Sequence, residues 1–192
     1  VIGGGLAGIL TARLLSESGV RTVVLEADRI GGGQTKNTTA KITCQHGLIY
    51  DRMAEQFGME AAGQYASAGE KAIGEYRRVI KEYGIDCHFT ESRACLYSCR
   101  KGKEEALMRE AETAEALGIP AGFTTKTELP FPVTGAVCFR GQAHFHPLEF
   151  LKGAAKGLAI YEDSPVLFVD GGHLQTERGV VTAEHVVFAC HY

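Results

Sequence analysis

The sequence predicts an α/β fold, in which a parallel sheet is interrupted by an inserted lobe. A strand remnant at Val1 and Ile2 leads through a glycine turn into residues 8–18, whose apolar side chains have helical spacing. Residues 21–26 then form a β-branched and apolar run of the kind buried in a parallel sheet. Strand, turn, helix and strand thus follow one another at the start of the chain, as expected for this fold class.

The elements after this unit are predicted from the composition of each segment and from the glycines that end it. Gly19 ends the first helix at a favoured C-cap position. Residues 27–45 are polar and rich in glycine and threonine, which predicts an extended loop rather than a helix. Helices are expected at residues 50–83 and 103–117, and strands at 87–90, 94–99 and 135–140.

The last part of the chain is predicted to return to the sheet. Pro147 stands in the first turn of a helix that Gly157 ends. Asp-Gly and Arg-Gly dipeptides then separate short apolar runs, which predicts a small antiparallel meander. Strands are expected at residues 159–161 and then, within the meander, at 166–169, 173–176 and 179–181, followed by a buried strand at 185–190.

The composition argues against several classes of partner. The net charge is −3, and the basic residues are scattered, so neither nucleic acid nor an anionic membrane surface is an expected partner. Apolar runs are too short to span a bilayer, and no signal peptide is visible. The six cysteines form no dense framework, which predicts reduced thiols in a cytoplasmic protein. Cys95 and Cys99 lie too far apart on one strand to pair with each other and are expected to be buried thiols.

The glycine turn has the spacing of a dinucleotide-binding motif, Gly3-x-Gly5-x-x-Gly8, between a strand and a helix. The three glycines allow a tight turn, close approach to a pyrophosphate, and packing of helix against strand. The N-terminus of the helix offers free N–H groups to phosphates. Glu26 ends the next strand, where a carboxylate accepts ribose hydroxyls and disfavours a 2′-phosphate. These residues leave FAD and NAD both open.

The loop after Glu26 favours FAD over NAD. An NAD dehydrogenase would continue into a second βα unit, whereas residues 28–43 lack apolar periodicity. Their glycines and threonines supply N–H and hydroxyl donors that suit a diphosphate, a ribityl chain and the edge of a flavin ring.

Residues 1–43, VIGGGLAGILTARLLSESGVRTVVLEADRIGGGQTKNTTAKIT, resemble the N-terminal segment of FAD-dependent oxidoreductases of the D-amino-acid oxidase type. The stretches QHGLIYDRM, GQAHFHPLEFLKGAAKG and IYEDSPVLFVDGG are similar to a bacterial subgroup with an extra C-terminal Rieske domain, whose cysteine and histidine pattern is absent here. The resemblance covers the whole chain. It implies a glutathione-reductase-like FAD-binding domain of Rossmann type with an inserted α+β substrate lobe, truncated at both ends.

The resemblance also implies cofactor contacts, position by position. These are Gly3, Gly5, Leu6, Ala7 and Gly8 for the pyrophosphate, Glu26 for the ribose, Ala27 and Arg29 through the main chain, Gly33, Thr35, Thr38, Thr39 and Ala40 in the loop, and Val166 for adenine. Ala40 stands where the family usually has glycine. Asn37 is nearest to the histidine that carries covalent flavin in some members, so non-covalent FAD is expected.

The implied function is oxidation of an amino acid or another amine by hydride transfer to flavin N5, with dioxygen or an electron carrier as acceptor. Residues 1–43 and 150–192 are assigned to the FAD-binding domain and residues 44–149 to the substrate lobe. An NAD-dependent dehydrogenase and a non-catalytic fragment that keeps only the nucleotide-binding fold remain alternatives. The catalytic residues are unassigned. His46 is a candidate general base or substrate contact, although a hydrogen-bonded structural role is favoured for it. A metal site at His144 and His146 is not favoured.

Overall fold

The computed structural model describes residues 1–190, and the chain divides into two compact units. The first unit comprises Val1–Ala40, Val79–Cys87 and the described part of the segment that begins at His146. The second unit comprises Lys41–Arg78 and His88–Phe145. The predicted boundaries lie after residues 43 and 149, and the predicted substrate lobe includes Val79–Cys87, which the structure places in the first unit. The assignment of one domain to the cofactor and the other to the substrate stays a prediction.

The first unit contains the parallel sheet. Its elements are α1 (Leu6–Glu17), β1 (Val23–Leu25), a 3₁₀ helix (Gln34–Asn37), α4 (Pro147–Ala155), β6 (Ala159–Tyr161), β7 (Val166–Asp170), β8 (His173–Thr176) and β9 (Gly179–Thr182). Strands β1 and β6 pair in parallel, and Ile2 bridges in parallel to Leu25 on one side and to Phe188 on the other. Helix α1 lies between Ile2 and β1 in the chain, so the observed order is the predicted one of strand, turn, helix and strand. The meander β7–β8–β9 is antiparallel, as predicted.

Two expectations for this unit were wrong in detail. The loop at residues 27–45 is not extended throughout, because it contains the 3₁₀ helix Gln34–Asn37, at whose end Thr38 N–H donates to the Thr35 carbonyl at 3.4 Å, and the strand Lys41–Ile42, which belongs to the second unit. The buried strand expected at residues 185–190 is a single bridge at Phe188, whose side chain is 64% exposed. In residues 1–190 this segment pairs along one edge only, with Ile2. The predicted end of the domain, His191 and Tyr192, lies outside the described residues.

A buried arginine ties α1 to the end of α4. The Arg13 guanidinium donates to the Ala154 carbonyl from Nε at 2.9 Å and from Nη2 at 2.7 Å, and also to the Lys156 carbonyl. It lies 4.4 Å from the centroid of the Tyr83 ring. A cation at the C-terminal end of a helix satisfies the last carbonyls and opposes the helix dipole, so Arg13 has a structural role.

The second unit is built around one antiparallel sheet. Its elements are β2 (Lys41–Ile42), α2 (Tyr50–Glu82, whose last residues belong to the first unit), β3 (Thr90–Ser98), α3 (Glu104–Ala116), β4 (Ala121–Thr124) and β5 (Gly135–His144). Strand β5 pairs antiparallel with β2, β3 and β4. The strand predicted at residues 87–90 forms only from Thr90, and it continues into the one predicted at 94–99. Helix α2 is interrupted at Gly58, which has φ 84°.

A buried carboxylate caps the start of α2. Glu110 on α3 is fully buried, and its Oε1 accepts the N–H groups of Ile49 and Tyr50, both at 3.0 Å. Its Oε2 accepts the N–H of Asp51 at 2.9 Å. The first N–H groups of a helix have no acceptor within the helix, so Glu110 supplies from another element what a local cap would supply.

The prediction of reduced, buried cysteines was wrong for Cys95 and Cys138. These residues face each other on β3 and β5 and form a disulfide. Cys95 is exposed rather than buried, because it lies on the solvent side of an outer strand. Cys99 is also exposed and is a free thiol, whereas Cys44 and Cys87 are buried thiols.

Candidate functional site

The first and third glycines of the Gly3-x-Gly5-x-x-Gly8 motif are required by close backbone contacts. Gly3 has φ 109°, and a Cβ there would lie 2.6 Å from the Ala189 carbonyl oxygen. A Cβ on Gly8 would lie 1.8 Å from the Gly3 carbonyl oxygen. The turn therefore packs between the start of α1 and the segment at Ala189, as the motif predicts.

Gly5 is the N-cap of α1 and has no side chain to cap it. Instead, Leu6 N–H donates to Oγ1 of Thr35 at 3.1 Å, and Thr35 is buried. The N–H groups of Ala7 and Gly8 also lie in the first turn, where no intrahelical acceptor exists. The helix thus begins with N–H groups directed away from its own backbone, an arrangement that suits an anion.

A cavity of about 350 Å³ opens at this helix end. It is lined by Gly5, Leu6, Ala7, Gly31, Gly33, Gln34, Thr35, Ala189 and Cys190. Five of the predicted cofactor residues are therefore brought together here, namely Gly5, Leu6, Ala7, Gly33 and Thr35. The other four lining residues, Gly31, Gln34, Ala189 and Cys190, were not among the predicted cofactor contacts. Ala189 and Cys190 follow the outermost parallel segment, and the rule that ligands bind at the carboxyl ends of strands could have indicated them.

Glu26 lies against the glycine turn. Its Oε2 accepts the Gly4 N–H at 2.5 Å, and its Oε1 accepts the Asp28 N–H at 3.0 Å. A Cβ on Gly4 would lie 3.0 Å from the same Oε2 atom, so the carboxylate and the turn are in direct contact. These bonds fix the orientation of the carboxylate at the end of β1. Its predicted role as a ribose acceptor stays a prediction.

The loop after Glu26 is held by acidic residues that follow β6. Glu162 accepts the Ile30 N–H at 2.8 Å and pairs with the Arg29 guanidinium at 2.7 Å, which also contacts Asp163 at 3.2 Å. The Arg29 side chain and then the Ile30 N–H lower the pKa of Glu162 from its ordinary value. The Arg29 side chain is thus used structurally. The main-chain contacts predicted for Ala27, which is exposed, and for Arg29 are not tested by this arrangement.

The remaining predicted loop residues are not among those that line the cavity. Thr38 follows the 3₁₀ helix and donates its N–H to the Thr35 carbonyl at 3.4 Å, and Thr39 is exposed. Ala40 has φ 60°, the left-handed region that glycine adopts most readily. Ala40, for which the resemblance implied a glycine, thus has a backbone conformation that glycine would take readily.

Val166, the predicted adenine contact, begins β7 opposite Thr176 and is not a lining residue of the cavity. The preceding segment is nevertheless fixed at the end of β1, because Ser164 N–H donates to the Glu26 carbonyl at 2.9 Å. Asp163 N–H likewise donates to the Asp28 carbonyl at 3.0 Å. The chain at Glu26 and Asp28 is therefore tied to the residues that precede β7, and the adenine role of Val166 stays a prediction.

The second unit contains a polar cluster around Cys44. The buried Cys44 thiol donates to Oε1 of Glu70 at 3.1 Å, and burial, followed by this hydrogen bond, raises the pKa of Cys44 to about 11. Tyr50 OH donates to the Cys44 carbonyl at 2.8 Å, and burial raises the Tyr50 pKa. The exposed His46 has Nδ1 3.0 Å from Tyr65 OH. This cluster contains no activated thiolate, and the predicted approach of His46 to a flavin stays a prediction.

No group of three His, Cys, Asp or Glu side chains within residues 1–190 could hold a metal ion. Over the same residues, no helix is long and apolar enough to cross a bilayer.

Sequence comparisons place the whole chain in one group of proteins. A model of the family described as FAD dependent oxidoreductase (DAO) matches residues 1–192. The Bacillus subtilis protein YhfW, which is named for a Rieske 2Fe-2S centre, is 32% identical over all of this chain and 40% of its own length. Gamma-glutamylputrescine oxidoreductase of Escherichia coli is 29% identical over 98% of this chain and 47% of its own length.

Solved structures agree in fold. Glycine oxidase from Geobacillus kaustophilus has a TM-score of 0.74 at 18% identity, over 98% of this chain and 53% of that protein. L-proline dehydrogenase from P. horikoshii has a TM-score of 0.72 at 19% identity, over 94% of this chain and 49% of that protein. The predicted α/β fold class is confirmed. The chain spans about half the length of the relatives it matches.

Proposed function

Because the chain belongs to the DAO family of FAD-dependent oxidoreductases, we propose that it forms the N-terminal, cofactor-binding portion of an enzyme that oxidises an amino acid or another amine. The cavity at the start of α1, with the Glu26 carboxylate beside the glycine turn, is the observation that carries the proposal. The names of similar proteins, an oxidoreductase of gamma-glutamylputrescine and an oxidase of glycine, support an amine or amino-acid substrate. The family match favours FAD over the alternative of NAD.

The residues at the cavity fit a diphosphate. Small residues line its helix side at Gly5 and Ala7, and the first-turn N–H groups can donate to phosphate oxygens without a competing side chain on Gly5. The Thr35 hydroxyl accepts Leu6 N–H and still has its own proton to donate. A cavity of about 350 Å³ is within the range of small-molecule sites.

The chain's own residues would bind and orient the nucleotide end of FAD. Glu26 is fixed by two backbone N–H groups, and its oxygens have further lone pairs for the hydroxyls of a ribose. The same negative charge would repel a 2′-phosphate. When bound, FAD supplies the acceptor for a hydride from the carbon next to the amine, and dioxygen or an electron carrier then takes the electrons.

Several finer points belong to the same proposal. Asn37, the residue nearest to the position of the histidine that carries covalent flavin in some family members, supports non-covalent FAD, which would be released on denaturation. The proposed partners are a small-molecule amine or amino acid and an electron acceptor, with no nucleic acid or membrane, and the proposed location is the cytoplasm. The second candidate is a non-catalytic fragment that keeps the nucleotide-binding fold, because the chain spans about half the length of its relatives.

The proposal is tested by titrating FAD into the purified chain and following flavin fluorescence, with NAD and NADP as competitors. We expect saturable binding of FAD that neither competitor displaces at equal concentration. If FAD binds, anaerobic addition of candidate amines to the longest available form of the protein should bleach the visible flavin absorbance. Failure to bind any adenine nucleotide would overturn the cofactor assignment, and binding without bleaching by any amine would favour the inert fragment.

A further inference from the structure

The disulfide between Cys95 and Cys138 joins the two longest strands of the second unit. The residues are direct partners in the antiparallel register of β3 and β5, with Cα atoms 4.1 Å apart and a sequence separation of 43. Neither cysteine lines the candidate cofactor cavity, and neither is used in the proposed function. The bond therefore needs its own explanation.

The disulfide is accessible from solvent. Cys95 is exposed and Cys138 is half-buried, whereas Cys44 and Cys87 are 2% and 1% exposed. In the described part of the chain, β3 pairs with β5 alone, so its other edge is not covered by a strand. The register of β3 also shifts between Ser92 and Ala94, just before Cys95. A sulfur of an exposed residue on an outer strand, beside an irregularity, can be approached by another molecule, because no strand of residues 1–190 pairs along that edge.

We propose that Cys95–Cys138 is a thiol–disulfide exchange site that takes low-molecular-weight thiols, and that exchange there locks or releases β3. In the reducing direction, the thiolate of the small molecule attacks Sγ of Cys95, the bond to Cys138 breaks, and Cys138 leaves as a thiolate that takes a proton from water. A second small thiolate attacks the small-molecule sulfur of the mixed disulfide and releases Cys95 as a thiol. Two small thiols are oxidised to one small disulfide while the protein disulfide is reduced to two thiols.

Exposure selects the sulfur that is attacked. Cys95 is the more open of the two, so the mixed disulfide forms there and Cys138 is the leaving group. Oxidation by a small disulfide runs through the same steps in reverse. In the reduced state β3 is held to β5 only by backbone pairing, and a constraint across 43 positions is lost. Loss of a cross-link that closes a loop of this size lowers the melting temperature of a chain of this length by roughly 8–16 °C.

The experiment places the full chain, folded and without denaturant, in buffers of graded reduced-to-oxidised glutathione ratio. Each sample is quenched with an alkylating reagent and mapped by peptide mass. We expect Cys95 and Cys138 to become alkylated together, with one midpoint, as reduced glutathione increases. Cys99, an exposed free thiol, should be alkylated at every ratio, and the buried Cys44 should be protected at every ratio.

A second measurement tests the release of β3. Hydrogen exchange of the β3 amides should be faster, and the melting temperature lower, at the reducing end of the series. The Cys95→Ser variant should show the same melting temperature in both buffers, and Cys99→Ser should behave like the parent chain. The proposal is overturned if the pair stays as thiols in excess oxidised glutathione, or stays linked in excess reduced glutathione until denaturant is added. It is also overturned if the melting temperature of the parent chain is equal in both states.

Discussion

Replacement of Glu26 by glutamine should weaken both the glycine turn and FAD binding. The carboxylate accepts Gly4 N–H at 2.5 Å and Asp28 N–H at 3.0 Å, one on each oxygen. An amide keeps one acceptor oxygen and turns a donor toward the other N–H group. A hydrogen bond to a charged group contributes about 1.5–3 kcal/mol, and partial exposure reduces this, so we expect a loss of about 1–2 kcal/mol. For a chain of this length that is a fall in melting temperature of roughly 2–8 °C.

The same substitution should raise the dissociation constant for FAD at least about tenfold, because the remaining oxygen cannot serve both Gly4 N–H and a ribose hydroxyl. Thermal denaturation and flavin fluorescence titration measure the two effects. Asp28→Asn is the matched control, since it makes the same charge change on the exposed neighbouring residue. Equal behaviour of the two variants would refute the reasoning. A lower melting temperature with unchanged FAD affinity would show that Glu26 only ties the turn.

Three further predictions concern stability. Glu110→Gln should lower the free energy of unfolding by about 2–4 kcal/mol, measured by chemical denaturation, because the fully buried side chain that caps three N–H groups loses one acceptor oxygen. Glu112→Gln, at an exposed position on the same helix, should change the free energy of unfolding little. Ala40→Gly should stabilise the protein by up to about 1 kcal/mol, because glycine relieves φ 60° but adds entropy to the unfolded chain; a loss measured in the same assay would contradict that backbone conformation. The Arg29 guanidinium holds the pKa of Glu162 below its ordinary value of 4.5, so the contribution of this ion pair is present above pH 4.5 and is lost as pH falls through the lower folded value. Acid denaturation curves of Glu162→Gln should lack that component.

The glycine turn could be predicted from sequence because its chemistry is local. Gly3 and Gly8 contact each other within one strand-to-helix turn, and Glu26 follows at the end of the next strand. The same holds for the meander, whose turns are dipeptides. Elements whose ends are set by nearby turn residues were therefore predicted to within a few residues of their observed bounds.

Features that depend on distant pairing could not be predicted in the same way. The Cys95–Cys138 disulfide requires the register of β3 on β5, which includes a shift between Ser92 and Ala94 that no sequence pattern indicates. The cap on α2 comes from Glu110, a residue of another helix that looks like an ordinary surface glutamate in its sequence context. The resemblance implies Thr35 as a cofactor contact, but the hydrogen bond that its hydroxyl accepts from Leu6 N–H depends on the three-dimensional fold.

The central claim is that the start of α1 binds the diphosphate of FAD. Amide hydrogen exchange of the chain, with and without saturating FAD, tests it most directly. The account predicts that the amides of Gly5, Leu6 and Ala7 become protected when FAD is added, while those of β3 do not change. Binding of FAD that leaves the amides of Gly5–Ala7 unprotected, or that protects only the second unit, would contradict it.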